Sequence, residues 1–165
     1  MPYKYAYFPY VLDRKVNYIY LLCLYSIAEK ADESRIKTDI DFTSFDKLET
    51  MINNKLSNYQ KRDKDDNKKT MVSASTLSRI VNKEEYKPFL YYGKFGANKL
   101  ITLNNDFSKN TQGIKYSSSF VRLSPAMVNL LLETQDNLLA QYIIYLVHFC
   151  GITKNNTDFT AKQFL

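Results

Sequence analysis

Hydrophobic and polar positions follow three different rhythms along this chain, and each predicts its own kind of element. Residues 15–30 are apolar almost all round, with Tyr18-Ile19-Tyr20-Leu21-Leu22-Cys23-Leu24-Tyr25 unbroken, which predicts a helix buried at the centre of the fold. A second helix is expected to start at Thr43, whose hydroxyl can cap it. Asp46 stands near its positive end, and Phe45, Leu48, Met51 and Ile52 recur at helical spacing. Residues 58–70 offer no aliphatic side chain between Asn58 and Thr70 and read as a solvated loop. A third helix is expected to begin at Ser73 or Ser75, with Leu77, Ile80 and Val81 as its core positions. The run Tyr86 to Tyr92, a Gly-containing turn over 93–98, and the alternating Lys99-Leu100-Ile101-Thr102-Leu103 then predict a β-hairpin.

The C-terminal part repeats the opening theme. Tyr142-Ile143-Ile144-Tyr145-Leu146-Val147-His148-Phe149 echoes the run from Tyr18, and Asp158-Phe159-Thr160 echoes Asp41-Phe42-Thr43. The spacing from Tyr to Asp is 23 residues in the first copy and 16 in the second, a difference that a surface loop absorbs. Short apolar segments precede each copy, at Tyr5 to Leu12 and at Phe120 to Leu123, and Ser124-Pro125 caps and opens a helix expected over 126–134. The predicted organisation is a first domain over 1–108, a linker over 109–119 and a helical subdomain over 120–165 that begins a second, incomplete copy. An incomplete copy points to a piece of a longer protein.

Composition narrows the class. Only 4 Gly and 4 Pro occur in 165 residues, which disfavours turn-dense sandwiches, and 14 Tyr with 10 Phe supply bulk for the interior. The net charge of +6 is unevenly spread: residues 1–58 balance at eight basic and eight acidic, 59–104 carry ten against five, and 105–165 carry five against four. The positive field therefore comes from the middle segment. Cys23 and Cys150 lie in apolar helical patterns, apart from each other and from any metal-ligand spacing, and are expected to be free thiols of a reducing, cytoplasmic compartment. The longest apolar runs are too short to cross a bilayer, so no membrane is expected as a partner.

Little in the sequence suggests catalysis. The single histidine, His148, lies on an apolar helix face with no carboxylate at helical spacing. Gly93-Lys94-Phe95-Gly96 reads as a hairpin turn rather than a phosphate loop, and Asp63, Asp65 and Asp66 lack cation-loop spacing. Tyr3, Tyr5, Tyr7 and Tyr10 could stack on single-stranded bases, but a strand packed on the first helix explains them better. Neither an enzyme nor a cofactor or metal site is expected.

Three helices followed by a hairpin, with a short strand in front, form a winged helix, a mainly α fold with a β-hairpin (α+β). With the start of a second such module behind it, the chain resembles the tandem winged-helix replication initiators of plasmids and phages, and more loosely the winged-helix primosome proteins. The residues that carry the resemblance are the helix over 15–30, Asp41-Phe42-Thr43, Ser73-Ala74-Ser75-Thr76-Leu77-Ser78-Arg79-Ile80 and the hairpin over 86–103. It implies that the third helix enters the major groove of double-stranded DNA at origin repeats and that the wing follows the backbone.

Thr76, Ser78, Arg79 and Asn82 would then read bases, Arg79 by forking onto guanine and Asn82 onto adenine, with Ser75 on a phosphate. Lys87, Lys94 and Lys99 of the wing would meet backbone phosphates, as would Lys61, Arg62, Lys68 and Lys69 of the loop. Two other readings stay open: a protein-interaction module of the replisome or primosome, and a transcriptional repressor. Leu138, Leu139, Ile143, Leu146, Val147 and Phe149 need burial. They are expected to pack on the first module, on the helix over 126–134, or on a second copy of the chain as a homodimer, with the subdomain docked through Leu130, Leu131, Ile143 and Leu146.

Overall fold

The computed structural model describes residues 6–28, 39–56, 72–104 and 120–154. The expected loop 58–70, the linker 109–119 and the second Asp-Phe-Thr at 158–160 lie outside these residues. The described elements are, in order, β1 (Ala6–Pro9), α1 (Tyr18–Ile27), β2 (Asp39–Phe42), α2 (Phe45–Leu56), α3 (Ala74–Ile80), a 3-10 turn (Glu84–Tyr86), β3 (Leu90–Phe95), β4 (Asn98–Leu103), β5 (Phe120–Leu123), α4 (Pro125–Thr134) and α5 (Asn137–Lys154). The fold is mixed α+β: the described residues form five α-helices, a three-stranded antiparallel sheet and a separate two-stranded pair.

α1 is the hub, as its all-round apolar pattern predicts. Tyr18, Ile19, Leu21, Leu22, Cys23, Leu24 and Tyr25 are all buried, so no side of the helix carries a solvated face. α2, α4 and α5 all pack on it, and the buried side chains of all parts join one core cluster. Asn17 caps the helix by accepting from the amides of Ile19 at 3.0 Å and Tyr20 at 3.4 Å. The Tyr18 amide, another that a helix start leaves unpaired, donates to Asn137 Oδ1 at 2.8 Å.

The sheet runs β2-β4-β3, so the strand between α1 and α2 pairs with the last strand of the hairpin. Here the sequence expectation needs correction. Asp41 and Phe42 end a strand, paired with Leu100 and Lys99, instead of opening a helix. Helix α2 begins at Phe45, and its cap is the next hydroxyl along from Thr43: Ser44 Oγ accepts from the Lys47 amide at 3.2 Å. In the hairpin, Gly93 is a strand residue opposite Leu100, and the turn is only Gly96-Ala97 between the paired Phe95 and Asn98. Gly96 has φ +64°, and Ala97 is not among the positive-φ residues, which is the type II′ pattern that a two-residue hairpin favours. A Cβ at Gly93 would stand 3.0 Å from the Phe95 ring and 3.2 Å from the Tyr91 ring, so any larger residue there requires those rings to shift by a few tenths of an ångström.

The segment expected as the start of the first wing strand bends instead. Glu84–Tyr86 is a 3-10 turn, and Lys87 and Pro88 continue as turn before β3 begins at Leu90. The bend brings the Tyr86 hydroxyl to the Asn17 amide, which donates to it at 2.9 Å. The buried Asn104 fixes the other side, donating through its backbone amide to Phe89 O at 2.9 Å and through Nδ2 to Pro88 O at 2.8 Å.

The two short apolar segments that precede each repeat copy pair with each other. β1 and β5 form an antiparallel ribbon with Ala6 opposite Leu123 and Pro9 opposite Phe120. Ser124 then caps α4 through the Met127 amide, and Gln135, in the left-handed region at φ 54°, turns the chain into α5. α4 and α5 pack on α1 of the first module, with Leu131 and Ile143 fully buried in the shared core and Leu130 packed against it, while Leu146 is only half-buried and is not one of the side chains packed on that core. Leu138 and Phe149 depart from expectation, being 75% and 52% exposed. The helical phase puts Ala140, Ile143, Ile144 and Val147 on α1 and β5, which turns Leu138 and Phe149 the other way.

Candidate nucleic-acid interface

Helix α3 packs on α2 through its buried Leu77 and Ile80. That contact fixes which side chains remain available. Ser75, Arg79 and Asn82 are exposed, and Thr76 and Ser78 are half-buried. Ser73 caps the helix, accepting from the Thr76 amide at 3.2 Å, and its Oγ also lies 2.9 Å from Thr76 Oγ1 and 3.2 Å from Ser75 Oγ. Arg79 Nη2 donates to Thr76 Oγ1 at 3.3 Å. A hydroxyl chain thus runs from the helix cap to the guanidinium, and it restrains Arg79 while leaving most of its donors open. Asn82 is held differently, with Nδ2 donating to the Ser78 carbonyl at 2.9 Å, so its amide would have to turn outward to read a base.

The hairpin divides its charges by face. Side chains alternate across a strand, so Lys94 and Lys99 share the face of Tyr92, Ile101, Ile40 and Phe42, on which the start of α2 packs. Asp39 and Asp41 stand on the opposite face with Thr102 and Leu100. Lys94 and Lys99 are directly opposed in register, an arrangement that like charges disfavour unless an anion or another acceptor relieves it. Lys99 Nζ has such an acceptor in the Thr43 carbonyl, at 3.0 Å, while Lys94 is exposed at the tip.

Lys87, expected on the wing, sits in the turn before it, exposed and just after Glu84 and Glu85. Those two carboxylates weaken the case for Lys87 as a phosphate contact. Lys61, Arg62, Lys68 and Lys69 lie outside the described residues. The sequence reading missed Phe95, 56% exposed beside the turn, and Lys83, exposed directly after α3. A two-residue loop centred on Gly96 would have pointed to the first, but the wider turn assumed over 93–98 concealed it.

Other reactive groups are taken up by packing. His148 stacks face to face on Tyr10, ring centroids 3.6 Å apart, and burial lowers its pKa from the ordinary histidine value. The Cys23 thiol is fully buried, and desolvation pushes its pKa up to about 12. Cys150 is half-buried, and neither cysteine is joined in a disulfide. Among the described residues no three His, Cys, Asp or Glu side chains gather as a metal-binding group, and no helix is long and apolar enough to cross a membrane. Comparison of the chain with protein-family models, curated proteins and solved structures finds no match.

Proposed function

We propose that this chain is a winged-helix protein that binds duplex DNA through α3 and the β3–β4 wing, in the manner of plasmid or phage replication initiators. The observation that carries the reading is topological. The order α1, β2, α2, α3, β3, β4, with β2 pairing β4 rather than β3, is what a winged helix would require, and it supports the reading independently of charge. The side-chain chemistry agrees with it. α3 offers Arg79 with Ser75, Thr76 and Ser78 on its unpacked faces, and the wing tip holds Lys94 and Lys99 on the sheet face where the helices pack, with the acids on the other.

Binding of this kind draws most of its energy from phosphate contacts and therefore weakens as salt rises. The test is a fluorescence-anisotropy titration of the chain against duplexes carrying the direct or inverted repeats that neighbour its gene, run at several salt concentrations. The expected result is a linear fall of log affinity with log salt and a preference of roughly a thousandfold or more over random duplex. Affinity that ignores salt, or is equal on both DNAs, removes the reading. A repressor would bind in the same way, and the position of the preferred repeat, at an origin or at a promoter, separates the two.

A further inference from the structure

The tip of the wing carries one large apolar side chain among polar and small ones. β2 ends at Phe42, opposite Lys99, so the last pair of the hairpin, Phe95 opposite Asn98, projects beyond the third strand of the sheet. Lys94, Phe95, Gly96, Ala97 and Asn98 are all exposed, and Phe95 keeps 56% of its surface in water. The other exposed large apolar side chains among the described residues lie on α2, on α5 and ahead of α1. Phe95 is also backed from beneath. Two atoms of its ring stand 3.0 and 3.3 Å, and one of the Tyr91 ring 3.2 Å, from the point that a Cβ on Gly93 would occupy, so both rings lean over that buried glycine. Pressed from outside, the Phe95 ring meets backbone and a second ring rather than empty space.

We propose that Phe95 is a wedge that enters the minor groove of the duplex read by α3 and unstacks one base step there. The inference rests on the DNA-binding reading and adds to it a contact that bends the duplex and selects sequence without a hydrogen bond. Strand alternation sends Lys94 and Phe95 to opposite faces of the hairpin, one residue apart. A tip lowered between two phosphate strands then has an ammonium for one wall and a ring for the sugars and bases. The apex is only Gly96-Ala97, and so slim a tip suits a groove about 6 Å wide. Phe is among the side chains that serve as wedges in minor grooves. A protein partner fits this tip less well, because the core of an interface needs several contiguous apolar side chains, and the one exposed here is bordered by Lys94 and Asn98. Asp39 and Asp41 share the Phe95 face but lie on β2, which stops short of the tip. Unstacking costs least at pyrimidine–purine steps, so a TA or CA/TG step is expected where the wing meets the preferred site.

The test is a titration of the full chain and of Phe95→Ala onto a duplex carrying the repeats that neighbour its gene, with 2-aminopurine placed at successive steps and a dye pair on the ends. With the wild type, 2-aminopurine fluorescence is expected to rise at one step, and energy transfer between the ends to report a bend. Phe95→Ala is expected to abolish both signals and to weaken binding about tenfold. The slope of log affinity against log salt should stay the same, because no charge is removed. If circular dichroism shows that the alanine variant misfolds, Phe95→Lys repeats the test: it should steepen the salt slope yet lose the fluorescence rise. A wild type that binds with a salt slope but leaves every 2-aminopurine stacked overturns the wedge and leaves the DNA-binding reading standing. A rise that persists in Phe95→Ala or Phe95→Lys overturns it as well, since another side chain then opens the step. A wild type with no salt-dependent binding removes the DNA-binding reading and the wedge together.

Discussion

Arg79 is exposed on α3 yet tethered to Thr76, so under the proposed DNA-binding role a base would meet a guanidinium that has already lost part of its freedom. Arg79→Ala is expected to cost about 1–3 kcal/mol on the specific repeat and little on random duplex. Lys94→Ala, at the wing tip, should weaken both alike and lower the salt slope by about one. Equal losses on both DNAs for Arg79→Ala would make it a phosphate contact. Two tyrosines set up a contrast in stability instead. Among the described residues, the Tyr92 hydroxyl is buried without a hydrogen-bond partner, while its ring packs with Phe42 and Phe45 at centroid distances of 6.4 Å and 5.8 Å. Burial raises its pKa, as expected of a phenol whose anion finds no solvation. Tyr25, by contrast, donates to the Asn104 carbonyl at 2.6 Å. Urea unfolding should find Tyr92→Phe neutral or stabilised by up to about 1 kcal/mol, and Tyr25→Phe destabilised by about 1 kcal/mol or more.

At the scale of elements, Asn137 does the most for its size. From the first turn of α5 it accepts from the Tyr18 amide at 2.8 Å and donates through Nδ2 to Val16 O at 3.2 Å, helped by Gln141 Nε2 to the same carbonyl at 3.4 Å. Asn137→Ala should therefore cost about 1–3 kcal/mol by leaving a buried helix-start amide unpaired, read as a fall in the thermal midpoint. Asn137→Asp, which can still accept but cannot donate, should lose less.

Most elements here were legible in the sequence because a periodic face announces itself. α1 has no polar side to mislead, and Leu77, Ile80 and Val81 at helical spacing located both the core face of α3 and, by subtraction, its available face. β2 was not legible. Asp39-Ile40-Asp41-Phe42 is four residues long, too short for alternation to stand out, and the Thr43 and Ser44 that follow both look like caps. The approach to the wing was misread because Tyr86, Phe89, Tyr91 and Tyr92 suit a strand equally well, whereas the bend answers to contacts with Asn17 and Asn104 far away in sequence. The site was legible as residue types only. That Lys94 and Lys99 oppose each other, and that Lys99 is engaged by Thr43, depends on a register no local pattern specifies.

For the whole molecule, one core joins the parts on either side of the 109–119 segment, since β1 pairs β5 and α1 is covered by α2 on one side and by α4 and α5 on others. The segments that precede the two repeat copies thus close on each other, which gives the repeated pattern a structural use even though its first Asp-Phe-Thr proved to be the end of a strand. That closure also has a temporal side. A ribosome releases Ala6 long before Leu123, the residue it faces, and at roughly 5–20 residues per second the gap lasts on the order of ten seconds. Throughout that interval, the side of α1 that will meet α4 and α5 has no native cover on the nascent chain. The central helix is made early and finished late, so part of the apolar surface from Tyr18 to Tyr25 waits for its native cover until the C-terminal helices follow.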